Sequence, residues 1–157
     1  MAAQNRNFDA LLQLLKETYE ERVPFHQILK LHIVSLEEDN VCMKIEMRKE
    51  LLGNYKYEML HSGVIASILD ATSSMIISLG LMKKMSESSF EEIKTRIFRI
   101  GTIDLRIDFL KPGQGHYFLS TGSALHIGNR IAVVRTSLHN GKNILIAVGA
   151  GTYTTGQ

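Results

Sequence analysis

One long apolar segment constrains this chain more than any other feature. Residues 61–81 (HSGVIASILDATSSMIISLGL) are almost all apolar or small, with a single charged residue, Asp70, near the middle. A helix that is apolar on all sides belongs in a core. A carboxylate in such a helix is costly unless it is paired, hydrogen-bonded or protonated. The segment therefore predicts a central helix in which Asp70 has a specific partner or task.

Asp70 belongs to a stripe of small and polar residues. Gly63, Ser67, Asp70 and Ser74 are three to four residues apart and therefore share one helix face. A lone acid among small hydroxyl side chains is typical of a cleft built for chemistry. A buried aspartate satisfied by Ser67, Ser74 or a neighbouring strand would produce the same pattern, and the residues alone do not decide between the two.

The setting of the protein follows from its apolar run and its cysteine usage. Residues 64–82 are long enough to span a membrane, but Asp70 and the serines and threonines around it argue against a span. The N-terminal residues lack the basic-then-apolar order of a signal peptide. The one cysteine, Cys42, excludes an internal disulfide framework and fits a reducing compartment. We expect a soluble cytoplasmic protein.

The composition suits one folded domain over residues 1–157. Hydrophobic residues make up 45% of the chain, charged residues 22%, and the net charge is +2 with the charges scattered. Such a chain is globular, and its charge does not favour nucleic-acid binding. The remaining histidines lack metal-ligand spacing, so we expect no metal and no redox cofactor. They are His26, His32, His116, His126 and His139.

The rest of the chain predicts a helix and then strands. Asn7 can cap a first helix that ends at Pro24. Period-two patterns predict strands over residues 31–36, 41–47, 102–110, 117–127, 131–139 and 143–155, with turns at 37–40, 128–129 and 140–141. Residues 48–60 are predicted to form a loop. Residues 83–99 are predicted to form a charged connector with a short helix capped by Ser88 or Ser89.

The strand at residues 102–110 alternates regularly. One predicted face carries the apolar residues Ile103, Leu105, Ile107 and Phe109. The other carries the polar residues Thr102, Asp104, Arg106 and Asp108. One apolar helix between a strand pair and a later antiparallel meander predicts an α+β domain, in which a single antiparallel sheet wraps around the helix. Dimerisation would cover the remaining edges of the sheet.

Four segments together carry a family resemblance. They are residues 48–54 (RKELLGN), the His61-Ser62-Gly63 step followed by Asp70, residues 99–113 (RIGTIDLRIDFLKPG), and residues 131–135 with the closing strand 147–153. The combination resembles the hotdog-fold acyl-CoA thioesterases of the phenylacetate-pathway type, and within them the YigI-like medium- and long-chain group. The resemblance implies a hotdog core over residues 31–155, behind an N-terminal helix within residues 1–24. It also implies hydrolysis of acyl-CoA, with medium- or long-chain acyl groups, to free acid and coenzyme A.

The resemblance implies a role for each candidate residue. Asp70 activates water or attacks the thioester, and the amides of Ser62 and Gly63 at the helix start polarise its carbonyl. Asn54, His61 and Thr102 position the carbonyl and the water, and Ser74 lies along the substrate. Each of these three residues also has a purely structural explanation. Asn54 suits a turn, His61 can hold the loop in place, and Thr102 has a high propensity for a strand.

The implied site is shared between subunits. Asp70 and Thr102 of one subunit face Asn54 and His61 of the other, so the resemblance implies a homodimer or a dimer-of-dimers tetramer that binds acyl-CoA. Coenzyme A enters only as part of the substrate.

Ser62 departs from the family pattern, which has His-Gly-Gly at this step. Serine retains the amide donor, but it would be strained if the first glycine needed a positive φ. This departure favours an alternative, a non-catalytic acyl-CoA or acyl-carrier binding protein of the same fold. A second alternative is a dehydratase or hydratase, whose proline- and glycine-rich histidine motif is absent from this chain.

Several residues are candidates for holding the rest of the substrate. Met75 and Met82 suit either the core or a flexible acyl chain. The first helix is expected to cover the mouth of an acyl tunnel, and deleting residues 1–22 without a change in chain-length preference would refute this. Basic residues that could meet coenzyme A phosphates, or equally be solvated surface charges, are Arg106, Lys111, Arg130, Arg135 and Lys142.

Overall fold

A six-stranded antiparallel sheet forms the frame of the protein. The computed structural model describes residues 2–37 and 40–156, with side chains from residue 7 onward. The sheet order is β1-β2-β6-β7-β8-β5, and a two-stranded ribbon, β3-β4, stands apart. The strands are β1 (His32–Glu37), β2 (Asn40–Glu46), β3 (Leu52–Asn54), β4 (Met59–Leu60), β5 (Ile100–Phe109), β6 (Tyr117–Ile127), β7 (Ile131–Asn140) and β8 (Leu145–Thr155).

The N-terminal segment packs on this frame in two helices. Helix α1 (Ala2–Glu17) continues through a π-helical turn (Thr18–Arg22) into α2 (Pro24–Leu29). Leu11, Leu15 and Tyr19 follow one another at four-residue intervals, and all three are buried. The prediction that Asn7 caps the first helix was wrong, because the helix already begins at Ala2.

The predicted central helix is α3 (Ser62–Lys84), and the sheet wraps around it. Thirteen of its residues are buried, and the Thr72 hydroxyl donates to the Ser120 hydroxyl of β6 at 2.7 Å. The helix is long and apolar enough to cross a membrane, but most of its apolar stretch is buried inside the domain. That burial is typical of the core helix of a globular protein. The α+β hotdog architecture is therefore confirmed.

The inward-facing residues of the sheet close the core over α3. On β7 and β8, alternate residues are buried. Gly122 and Gly149 bring the sheet close to the helix, since a Cβ at Gly122 would lie 3.0 Å from Cδ1 of Ile76. The connector after α3 contains α4 (Phe90–Ile97), and Ser89 caps it in a capping box with Glu92. The short helix predicted in this connector is thus confirmed.

Two predicted connections were wrong in detail. Residues 48–60 are not a plain loop, because they contain a 3₁₀ turn (Lys49–Leu51) and the β3-β4 ribbon. The turn at 140–141 is also longer than two residues. Asn140 ends β7, and its side-chain oxygen accepts from the amides of Lys142 and Ile144, which shapes a four-residue connection. The turn predicted at 37–40 includes Glu38 and Asp39, which lie outside the described residues.

Candidate active site

Two hydroxyl groups converge on one oxygen of the Asp70 carboxylate. Thr102 on β5 donates to Oδ1 at 2.9 Å, and Tyr153 on β8 donates to the same oxygen at 3.0 Å. Asp70 is half-buried rather than fully enclosed, on the open face of α3. No described residue donates to its other oxygen, Oδ2. The carboxylate is thus held at one oxygen, and the other is available for a water molecule or a substrate.

A β-bulge at Ile103 delivers Thr102 to Asp70. In the pairing of β5 with β8, Thr102 lies opposite Tyr153 and Asp104 lies opposite Thr152, so Ile103 is the extra residue. The bulge shifts the alternation by one and places Thr102 on the helix-facing side with Leu105. The predicted phase of this strand was therefore wrong at Thr102 and Ile103, and Ile103 is 55% exposed. A bulge of this kind re-aims a side chain, here toward the acid.

Tyr153 is a member of the site that the sequence did not single out. Its ring is fully buried on the inward face of β8, and burial together with the nearby charge of Asp70 raises its pKa. The phenol therefore remains protonated and able to donate at neutral pH. The only sequence signal for it was its inward position in the alternation of β8, which by itself indicates core packing.

The start of α3 differs from the expected pair of free amides. His61, not Ser62, is the N-cap residue, and its Nδ1 accepts from the Gly63 amide at 2.9 Å. The expectation that both helix-start amides are free is wrong for Gly63. The Ser62 amide has no partner among the described residues. The His61 ring packs between Gly53 and Gly63, since a Cβ at either position would lie within 3.2 Å of its atoms.

The serine at position 62 carries no backbone strain. Among the described non-glycine residues, positive φ occurs at Lys30, Glu58 and Asn143. Ser62 therefore has an ordinary negative φ, and its amide can serve as a donor without distortion. The concern that serine disables this step has no support in the backbone.

Asn54 has the turn role that its sequence context predicts, and its role toward the substrate stays a prediction. Its Oδ1 accepts from the amides of Lys56 and Tyr57 at 3.2 and 3.3 Å, which forms an Asx turn. These bonds fix the orientation of the side chain. The side-chain amide nitrogen, Nδ2, has no partner among the described residues. It is therefore an exposed and oriented hydrogen-bond donor.

The two groups of candidate residues lie far apart within one chain. Gly63 and Asp70 share a helix face, but seven residues separate them by about 10 Å along the axis. A carbonyl oxygen within hydrogen-bond distance of the Gly63 step therefore cannot place its carbon beside Asp70 of the same chain. Within one chain, Asp70 with Thr102, and Asn54 with His61, are therefore two separate groups of candidate residues.

The stripe on α3 continues beyond Asp70 to Tyr19 of the N-terminal segment. Burial raises the pKa of Tyr19, and the hydroxyls of Ser78 and Ser74 oppose that effect. Ser74, one helical turn beyond Asp70, thus lies near the Tyr19 hydroxyl, and the Tyr19 ring packs 5.1 Å from the His26 ring. Ser67, by contrast, bonds back to the Gly63 carbonyl at 2.7 Å, as a helical serine commonly does.

The candidate basic residues are spread over the surface. Arg106 pairs with Asp108 at 3.2 Å, Arg130 and Lys142 lie in exposed turns, and Arg135 borders a groove on the outer face of the sheet. Only Lys111 lines a cavity beside the helix start. That cavity, of about 400 Å³, also contains Ser62 and Phe109 in its walls.

No group of three or more His, Cys, Asp or Glu side chains comes together within the described residues. Cys42 is buried on β2 as a free thiol, and Met75 and Met82 are buried in the core. None of these residues contributes a group to the Asp70 site.

The fold and this site define a class of protein. Residues 57–147 match the family model of the Thioesterase superfamily, and the chain belongs to that superfamily. It is 34% identical, over 92% of its length and 94% of the relative's, to the medium/long-chain acyl-CoA thioesterase YigI of Escherichia coli strain K12. A relative of the same description from Salmonella typhimurium is 35% identical over the same shares of the two chains.

Solved structures agree with this placement. A thioesterase-superfamily-related protein from Shewanella oneidensis superposes with a TM-score of 0.90 at 39% identity, covering 96% of this chain and 97% of its own. A structure from Syntrophus aciditrophicus superposes with a TM-score of 0.85 at 37% identity, covering 96% and 99%. The similarity thus extends over nearly the whole fold, including the N-terminal helices.

Proposed function

We propose that this protein hydrolyses acyl-CoA thioesters of medium or long chain length to free acids and coenzyme A. One observation carries the assignment. Asp70, on the central helix of a thioesterase-superfamily fold, has one carboxylate oxygen held by two hydroxyls and the other open. The YigI relatives, named as medium/long-chain acyl-CoA thioesterases, support the substrate class.

The chemistry needs a base and an oxyanion site. Oδ2 of Asp70 takes a proton from water as the water oxygen attacks the thioester carbonyl. The negative charge that develops on the carbonyl oxygen is met by the backbone amide of Ser62 and the side-chain amide of Asn54, both from a second copy of the chain. The Gly63 amide adds a donor if it leaves His61 for the substrate. Collapse of the intermediate breaks the carbon–sulfur bond, and the proton held by Asp70 passes to the thiolate of coenzyme A. Direct attack by Asp70, through an anhydride, uses the same geometry.

The complete site requires a second copy of the chain. We infer that Asp70 and Thr102 of one subunit form one half-site of the active site. Asn54 and His61 of the partner subunit form the half-site that completes it. Strand β5 supports this dimer, because it is a sheet edge and because three large apolar side chains are exposed on it and on the residue that follows it. They are Ile103 (55% exposed), Phe109 (52%) and Leu110 (52%). The proposed assembly is this homodimer or a tetramer formed by two such dimers.

The surroundings of the site suggest where the rest of the substrate binds. Lys111 in the cavity beside Ser62 is positioned to meet a phosphate of coenzyme A, and the acyl chain extends along Ser74 toward Tyr19. No cofactor other than coenzyme A within the substrate is proposed. The buried free thiol of Cys42 is consistent with a reducing compartment, for which we propose the cytoplasm.

Free-thiol release from a panel of acyl-CoAs, short to long and aromatic, tests the assignment. Asp70→Asn keeps the shape of the side chain but removes the base, so turnover should collapse. Glu91→Gln is the matched control, because it makes the same chemical change at an exposed residue of α4 and should leave turnover intact. Equal turnover by wild type and Asp70→Asn would refute the role of Asp70.

One observation favours the binding-only alternative. The Gly63 amide is occupied by His61 rather than open to a substrate. Tight acyl-CoA binding by the wild type, with no thiol released from any member of the panel, would support that alternative over hydrolysis.

A further inference from the structure

We infer that Tyr153, held in place by the absence of a side chain at Gly151, is the positioning residue that orients the Asp70 carboxylate for catalysis. The inference rests on the proposed role of Asp70 and adds to it. It assigns a residue outside the expected set and says which carboxylate oxygen reacts.

Two hydrogen-bond donors fix the orientation of the Asp70 carboxylate. A carboxylate can rotate about its Cβ–Cγ bond, which exchanges the positions of its two oxygens. Thr102 and Tyr153 donate to the same oxygen, Oδ1, from two different strands. One donor would fix a distance, whereas two donors from different directions fix the plane of the group. Oδ2 is then held toward the open face of α3, where water and thioester meet.

The missing side chain at Gly151 leaves room for the Tyr153 ring. The ring leans back over Gly151, two residues earlier on the same strand. A Cβ at Gly151 would lie 2.5 Å from Cε2 and 2.7 Å from the hydroxyl oxygen of Tyr153. Any side chain at Gly151 would therefore push the ring away from its present position. Gly151 does not have a positive φ, so its role is to leave space, not to permit an unusual backbone.

The environment of Tyr153 suits a fixed donor. The ring is fully buried. Burial raises the pKa of the Tyr153 hydroxyl, so the hydroxyl keeps its proton near neutral pH. A buried, immobile donor loses little entropy when it orients its acceptor. Such orientation is worth large factors in rate when the reacting groups must align.

The inference is tested by Tyr153→Phe, which keeps the buried ring and removes only the hydroxyl. We expect kcat to fall about tenfold or more, while KM stays within about twofold, because the substrate does not touch Tyr153. Tyr117→Phe is the matched control. Its hydroxyl makes only a 3.5 Å contact with the Gly141 carbonyl, at the start of β6, and the variant should turn over like the wild type.

Two further variants separate positioning from general stability. In an Asp70→Asn background, Tyr153→Phe should cause no further loss, because Tyr153 acts through Asp70. Gly151→Ala, which keeps the hydroxyl but displaces the ring, should lower kcat in the same direction as Tyr153→Phe.

The outcomes distinguish this inference from the proposed function. If Asp70→Asn abolishes turnover but Tyr153→Phe has the kcat of Tyr117→Phe, the positioning role is overturned and the role of Asp70 stands. A further loss in the Asp70→Asn background would also overturn the positioning role, since Tyr153 would then act independently. If Asp70→Asn turns over normally, both assignments fail.

Discussion

Two inactive variants of this chain should restore each other's activity when they share a dimer. Asp70→Asn removes the base from one half-site, and Asn54→Asp removes the amide donor from the other. The aspartate at position 54 still offers an oxygen to the amides of Lys56 and Tyr57, so the Asx turn is retained. The two changes therefore damage different half-sites without unfolding either.

The magnitude follows from how the half-sites combine. Loss of one oxyanion donor costs about 10²–10³ in rate, so an Asn54→Asp homodimer should retain about 1% of wild-type activity or less. In a mixed dimer, one site carries both changes and the other carries neither. Random reassociation makes about half of the dimers mixed, so the mixture should reach about a quarter of wild-type activity.

The assay needs two separately tagged variants, refolded together and compared with each variant refolded alone. Thiol release from one acyl-CoA substrate gives the rate. A mixture no faster than the mean of its components would refute the shared site and place the whole reaction within one chain.

A second mixture is the internal control. Asp70→Asn and Thr102→Val both lie in the same half-site, so their mixed dimer contains no intact site and should stay inactive. Activity above the mean of the two variants refolded alone would show that Thr102 does not belong with Asp70, in contradiction to their 2.9 Å hydrogen bond.

Three other predictions concern the sheet, the acyl site and alkaline stability. Gly122→Ala would place a Cβ 2.4 Å from the Arg135 carbonyl oxygen. Chemical denaturation should therefore show that the free energy of unfolding falls by about 1–3 kcal/mol. The control Ser123→Ala should change it by about zero. Tyr19→Ala opens the far end of the stripe on α3, and the acyl-CoA panel should show a preference shifted to longer chains; an unchanged profile would exclude Tyr19 as the end wall. Burial raises the pKa values of Tyr19 and Tyr153 in the folded state, so the folded chain binds more protons than the unfolded chain above about pH 10, and stability should fall as pH rises past that value. Denaturation midpoints that do not change there would contradict this burial.

Much of the fold was predictable because it follows from local pattern. Alternation predicted the long strands to within a few residues, and the apolar run predicted α3. Ser88 or Ser89 was predicted to cap a short helix, and the structure shows that Ser89 does so in a capping box with Glu92. These features depend on backbone geometry and turn chemistry within a few residues, which the sequence contains directly.

The candidate site was predictable only in part. Asp70 stands out because a charge in an apolar helix is rare, but its partners come from strands 32 and 83 residues away. Thr102 reaches it through a bulge that simple alternation does not show. Tyr153 reaches it because β8 lies beside β5, which depends on the sheet order.

The sequence by itself determined the helix, the strands and the position of the acid, because each follows from the periodicity and chemistry of neighbouring residues. Only the tertiary structure decided which Asp70 oxygen is held, that His61 caps the Gly63 amide, and that Tyr153 joins the site. These features depend on strand register, on a bulge and on the packing of rings against glycines. They are set by contacts between residues distant in the chain, which no local pattern encodes.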